Sequence, residues 1–124
     1  MPYCLVVDDS RVVRKVARRI VEDLGFSCEE AEAGQKAYDS CVQKMPDAIL
    51  LDWNMPVMSG IEFLEKLRQM PSGKTPKVIF CTTENDMAHI QRAMNAGANE
   101  YIMKPFDSEI IESKFTQIGL INPA

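Results

Sequence analysis

The chain has only one histidine, His89, and its four cysteines are scattered at positions 4, 28, 41 and 81 without a CxxC pair. That excludes a histidine- or cysteine-built zinc centre and gives no disulfide framework. The cysteines read as reduced core residues of a cytoplasmic protein, and His89, set in a helical pattern, reads as incidental. No apolar run approaches the roughly 20 residues that cross a bilayer. The start, Met1-Pro2 leading straight into Tyr3, shows no signal peptide. There is no GxxxxGK[ST] or other glycine-rich phosphate loop, which excludes a P-loop nucleotide hydrolase. Basic residues are not in excess: the formal charge is −4 and the isoelectric point about 5.0, which argues against nucleic acid as a partner.

Residues 1–124 are enough for one domain with a real core, and no linker divides them. Apolar residues at 46% and charged residues at 26% indicate a folded, soluble chain. Two apolar runs without alternation, Ala48 to Leu51 and Val78 to Cys81, fit strands covered on both faces, as in a parallel sheet. Tyr3 to Val7 is a third strand of this type, Phe26–Ala31 is a weaker one, and Glu100–Met103 is the last. Helices are expected between them over Arg11–Leu24, Gln35–Met45, Gly60–Gln69, Asp86–Asn95 and Ser108–Ile118. Gly25 supplies a C-terminal stop for the first, and Pro46 ends the second. In the first helix Val12, Val16, Ile20 and Leu24 make an apolar stripe that Val13, Ala17 and Val21 widen. Arg11, Arg14, Lys15, Arg18 and Arg19 share the opposite face, a solvated surface or a dock for an acidic partner. In the second helix Ala37, Tyr38, Cys41, Val42 and Met45 are expected to face inward. Five strand–helix repeats in succession predict an α/β fold: a doubly wound (βα)5 five-stranded parallel sheet with right-handed crossovers and helices on both faces.

Open parallel sheets place their ligands at the carboxyl ends of strands. The strands here end on a consistent set of groups. Asp8 and Asp9 follow the first, Asp52 the third, Thr82 the fourth and Lys104 the fifth. Singly each has an ordinary explanation as a turn, cap or strand residue. Jointly, in register with the repeat, they suggest a site. Three converging carboxylates repel one another unless a cation joins them, and the hard oxygen set suits Mg²⁺. A lysine and a hydroxyl aimed at the same place hold a phosphoryl oxygen. With no catalytic histidine and no phosphate loop, a carboxylate is the remaining candidate nucleophile, and Asp52 could form an aspartyl phosphate.

Val6-Val7-Asp8-Asp9-Ser10, Leu51-Asp52-Trp53-Asn54-Met55-Pro56 with Gly60, Cys81-Thr82, and Tyr101-Ile102-Met103-Lys104-Pro105-Phe106 together resemble the receiver domain of bacterial two-component response regulators. The resemblance runs from the first strand to the last helix and implies the flavodoxin-like strand order 2-1-3-4-5. It implies that Asp52 is the phospho-acceptor and that Asp9, Asp52 and the main-chain carbonyl of Asn54 bind Mg²⁺, with Asp8 acting through a coordinated water. Lys104 would pair with the acyl phosphate and the Thr82 hydroxyl would move to meet it. The Lys104–Pro105 peptide would be cis. Tyr101 would swing inward as Thr82 shifts, changing the surface formed by the fourth helix, fifth strand and fifth helix. Asn54 and Glu84 would flank the path of water to the phosphoryl group; that pair and the Asp-Trp-Asn-Met-Pro loop are similar to the chemotaxis subgroup and imply a short-lived phosphorylated state. Thr83 works the other way. It stands where the family prefers alanine or glycine, and a β-branched residue there narrows access to Asp52.

The expected function is therefore a stand-alone, monomeric, cytoplasmic receiver with no output domain. A histidine kinase or histidine phosphotransfer protein would phosphorylate it, and it would act by binding a target, a flagellar motor component in the leading reading. It would be no enzyme beyond its own phosphorylation and dephosphorylation. Alternatives are a phosphorelay intermediate, a phosphate sink or a regulator of a kinase or adaptor. More distant are a small Mg²⁺-dependent phosphatase with an aspartyl nucleophile and a pseudo-receiver that binds partners without phosphorylation.

Overall fold

The computed structural model describes residues 2–83 and 86–122. The elements alternate throughout: β1 (Tyr3–Val7), α1 (Arg11–Asp23), β2 (Ser27–Ala31), α2 (Gly34–Gln43), β3 (Ala48–Asp52), α3 (Gly60–Gln69), β4 (Lys77–Thr82), α4 (Met87–Asn95), β5 (Glu100–Met103) and α5 (Ser108–Gln117). All strand pairs are parallel, as the repeat pattern predicts, and the order is β2-β1-β3-β4-β5, as the resemblance implies.

The apolar strands split between two cores because successive side chains point to opposite faces. Leu5, Val7, Ile49, Leu51, Val78 and Phe80 pack with Ala37, Cys41, Phe63, Leu64, Leu67 and Ala93 from α2, α3 and α4. Cys4, Val6, Ala48, Leu50, Ile79 and Cys81 pack with Ala17, Ile20, Val21, Ile111 and Phe115 from α1 and α5. Phe63, Phe80 and Phe115 are completely enclosed. Each such side chain contributes about 1.5–3 kcal/mol by leaving water. The four cysteines are free and buried, as the sequence suggests. Among the described residues no helix is long and apolar enough to cross a membrane.

The helix ends follow local chemistry. Ser10 caps α1, Asp86 caps α4 and Asp107 caps α5, each side chain accepting from a backbone N–H three residues on. Ser59 and Glu62 form a capping box at α3. Gly25 takes the left-handed conformation after α1 with φ +95°.

Four expectations about the helices need correction. Only Ala17, Ile20 and Val21 of the α1 stripe are buried, while Val12 is 74% and Val16 47% exposed. The stripe outruns the core: the first turns of α1 stand beside the strand ends, where apolar packing gives way to polar groups. Val42 is exposed where an inward position is expected. Helix α2 also stops at Gln43 because Lys44 is already extended at φ −153°, ahead of the Met45–Pro46 step. Finally, the basic face of α1 is not simply solvated. Glu30 on β2 takes Arg14 Nε at 3.1 Å and Lys15 Nζ at 2.9 Å, and Arg18 Nε lies 2.8 Å away as an ion pair.

Candidate functional site

The carboxyl edge of β1, β3, β4 and β5 collects the polar groups that the sequence places at strand ends. Val7 pairs with Leu51, Asp52 with Cys81 and Thr82 with Met103, so the residues that follow or close these strands stand level with one another. Asp8, Asp52 and Thr82 are the polar side chains buried there, while Asp9 is exposed.

Asp8 is held from several directions. Its backbone N–H donates to Ala31 O at 3.1 Å, and its Oδ1 accepts from the Ser10 N–H at 2.8 Å. The Arg14 guanidinium donates to its carbonyl at 2.8 Å, which ties α1 to the site. On the other side, Lys104 N–H donates to Thr82 O at 2.9 Å and extends the β4–β5 pairing by one residue. That bond aims the ammonium inward. Lys104 Nζ donates to Asp8 Oδ2 at 2.7 Å and to Asp52 Oδ1 at 2.9 Å, one cation joining two buried carboxylates. The Lys104–Pro105 peptide is cis.

Asp52 is presented by a loop built around a glycine. The Gly60 N–H donates to Trp53 O at 2.9 Å, closing residues 53–60 into a compact turn. A side chain on Gly60 would put its Cβ 2.3 Å from Asp52 O and 2.8 Å from the Phe80 ring. Only glycine lets α3 start this close to the end of β3.

Electrostatics follow from the crowding. Burial raises the Asp52 pKa, and the negative charges of Asp8 and Asp9 add to this against the opposing hydrogen bond from Lys104. Burial alone would lower the Lys104 pKa, but its bonds to Asp8 and Asp52 outweigh that and raise it. Carboxylate oxygens of Asp8, Asp9 and Asp52 all lie within 4.8 Å of one another. Three carboxylates with a single lysine between them leave an excess of negative charge in hard oxygen donors, so the donor set fits a small divalent cation such as Mg²⁺. Asp8, Asp9 and Asp52 are the residues that would hold it.

The remaining expected residues fall around this centre. Asn54 is exposed in the loop after Asp52, and Thr83 is exposed just beyond β4. Thr83 lines an apolar groove with Lys104, Phe106, Val12 and Val16. Tyr101 is half-buried on β5. Glu84 lies outside the described residues. His89, which the sequence leaves without a partner, is drawn in: its ring lies 5.1 Å from that of Trp53, which in turn packs 4.9 Å from Phe80. The Asp-x-x-His spacing from Asp86, which puts the imidazole beside its own helix cap, was the available signal. Arg14 was likewise legible only as part of a basic face.

Comparison with known proteins agrees with this geometry. Residues 4–116 match the model of the response regulator receiver domain. The chain is 35% identical over 116 residues to a chemotaxis protein CheY homolog of Campylobacter jejuni, covering 92% of this chain and 89% of that one. It is 36% identical over 112 residues to chemotaxis protein CheY1 of Helicobacter pylori, covering 89% and 90%. The solved structure of Vibrio cholerae chemotaxis protein CheY4 superposes with a TM-score of 0.90 at 30% identity, covering 95% of this chain and 98% of that one. With a buried aspartate at the end of β3, two more carboxylates and a lysine around it, and a family match along nearly its whole length, the chain belongs to the response regulator receiver domain family.

Proposed function

We propose that this chain is a phosphorylation-dependent signalling switch whose phospho-acceptor is Asp52. The observation that carries the reading is the buried Asp52 carboxylate, bridged to Asp8 by Lys104 and crowded by Asp9. The donor class is a phosphohistidine on a kinase or phosphotransfer protein. An Asp52 oxygen attacks phosphorus, the P–N bond breaks, and the imidazole leaves with the electron pair and takes up a proton. The product is an acyl phosphate. Asp52 gives up one interaction with Lys104 in this step, and the freed ammonium pairs with a phosphoryl oxygen. The Thr82 hydroxyl then turns toward the phosphoryl group. Asp9, Asp52 and the Asn54 main-chain carbonyl would hold Mg²⁺, with Asp8 reaching it through water; the ion would offset the charge of the incoming phosphoryl group.

The displaced Thr82 leaves room for Tyr101 to move inward, and the surface of α4, β5 and α5 changes with it. A target protein reads that surface. The chemotaxis relatives favour a flagellar motor component; a role as phosphorelay intermediate or phosphate sink uses the same chemistry. The group transfer is stoichiometric, so the protein turns over only its own phosphoryl group. Asn54 and Glu84 favour a short lifetime, and Thr83 favours a longer one.

Incubation with a phosphorylated histidine phosphotransfer protein tests the acceptor. One hydroxylamine-sensitive phosphoryl group should appear per chain with Mg²⁺ and be absent in Asp52→Asn. A label retained in that variant would contradict the assignment.

A further inference from the structure

Trp53, Thr82, His89, Ile90, Ala93 and Tyr101 surround a small internal gap beside the acceptor. It leaves no volume for a water molecule, about 0 Å³. A phenol ring entering this region must therefore push part of the wall aside. Two parts of the wall are packed on both sides: Trp53 is 8% exposed and lies against Phe80, and Ala93 is 1% exposed in the core. Thr82, 4% exposed at the end of β4, is the part that phosphorylation would draw away. The more open side is the first turns of α4. There the His89 side chain is 37% exposed, its ring packs against Trp53 at a 56° tilt, and its Nδ1 lies 2.8 Å from the Asp86 carboxylate at the helix cap. Asp86 Oδ1 also accepts from the His89 N–H at 2.9 Å, so cap and ring are held by one carboxylate.

We propose that His89 is a positioning residue of the switch, a latch that closes the space Tyr101 must enter and so holds the unphosphorylated state. The proposal rests on the inward movement of Tyr101 described above. Removing the imidazole opens the wall without touching the acceptor, Thr82 or Lys104. A larger fraction of molecules then holds Tyr101 inward before any phosphoryl group arrives. Any ligand selective for that state binds more tightly in proportion to the fraction that is ready. His89→Phe keeps a ring against Trp53 and leaves the wall closed.

The test is beryllofluoride binding with Mg²⁺, followed by Trp53 fluorescence in the full chain. The wild type is measured first; if it gives no response, the phosphorylation reading fails and the latch with it. Given a wild-type response, His89→Ala should bind beryllofluoride roughly 5–10-fold more tightly, at the low end of the range for coupled sites. His89→Phe should stay near the wild type. The gain should vanish when His89→Ala is combined with Tyr101→Ala. A gain that survives in that double variant, or unchanged or weaker binding in a folded His89→Ala protein, would overturn the latch while leaving the acceptor assignment intact. A His89→Ala chain that lost its fold would shift the decision to His89→Ser, for which the same gain and the same loss in the Tyr101→Ala background are required.

Discussion

At the scale of single residues, the site stores unfavourable energy in its resting form. Asp52 is buried beside two like charges, which raises its pKa despite Lys104. A raised carboxylate pKa in the folded state means that the native fold binds the proton more tightly than the unfolded chain does. The penalty is therefore absent below the unfolded pKa of about 3.9, grows as pH rises and is complete above the folded value. Asp52→Asn, measured with chelator present, should raise Tm at pH 7 by a few degrees and lose that advantage in acid. Equal Tm values at both pH values would contradict the charge argument. A second residue carries strain of another kind. Val57 sits at φ +70° in the loop after the acceptor and is fully exposed. A β-branched residue in the left-handed region costs about 1–2 kcal/mol, and no packing is gained in return. Val57→Asn should stabilise the protein by about 1 kcal/mol, read as a higher midpoint in urea with an unchanged slope.

Whole elements are pinned to one another by a few polar contacts. Helix α1 reaches the sheet edge through Glu30, which faces Arg14, Lys15 and Arg18. Burial works to raise the Glu30 pKa, and the bonds to Lys15 and Arg14 more than offset it, leaving it below the usual range. The sign is opposite to that of Asp52: the stabilisation is present above the unfolded pKa of about 4.3 and fades as pH falls through the lower folded value. Glu30→Gln should cost about 1–2 kcal/mol at pH 7, between exposed and buried ion pairs, and the two proteins should converge in acid. Thermal melts across pH would show it. Helix α3 depends on its first residue instead. Gly60→Ala sets a methyl group against the Asp52 carbonyl and Phe80, so it should both destabilise the fold by about 1–3 kcal/mol and weaken Mg²⁺ binding. Loss of stability with Mg²⁺ affinity intact would detach the glycine from the acceptor loop.

Seen as a whole molecule, most of the architecture was legible because a doubly buried parallel strand is a continuous apolar run and its end is marked by a sudden polar residue. Ala48 to Asp52 and Val78 to Thr82 show both signals. The site was legible for the same reason at Asp8, Asp9, Asp52 and Thr82, which follow such runs, while Lys104 follows the half-buried Glu100–Met103. What could not be read depends on where elements meet. The stripe of α1 does not reveal that Val12 and Val16 lie beyond the core, or that three of the basic residues turn to Glu30. The strand-end pattern alone does not separate the settings of Asp8 and Asp9: the first is buried and bonded to Lys104 and Ser10, the second open to solvent. His89 gains a role only because the start of α4 is folded against Trp53.

Trp53 is the only tryptophan and adjoins the proposed acceptor. Its fluorescence during a Mg²⁺ titration, followed by acetyl phosphate, therefore tests the central claim most directly, in the wild type and in Asp52→Asn. The expected result is a change with Mg²⁺ that acetyl phosphate extends in the wild type and that the variant does not extend. No response to Mg²⁺, or the same second change in both proteins, would contradict an aspartyl-phosphate switch centred on Asp52.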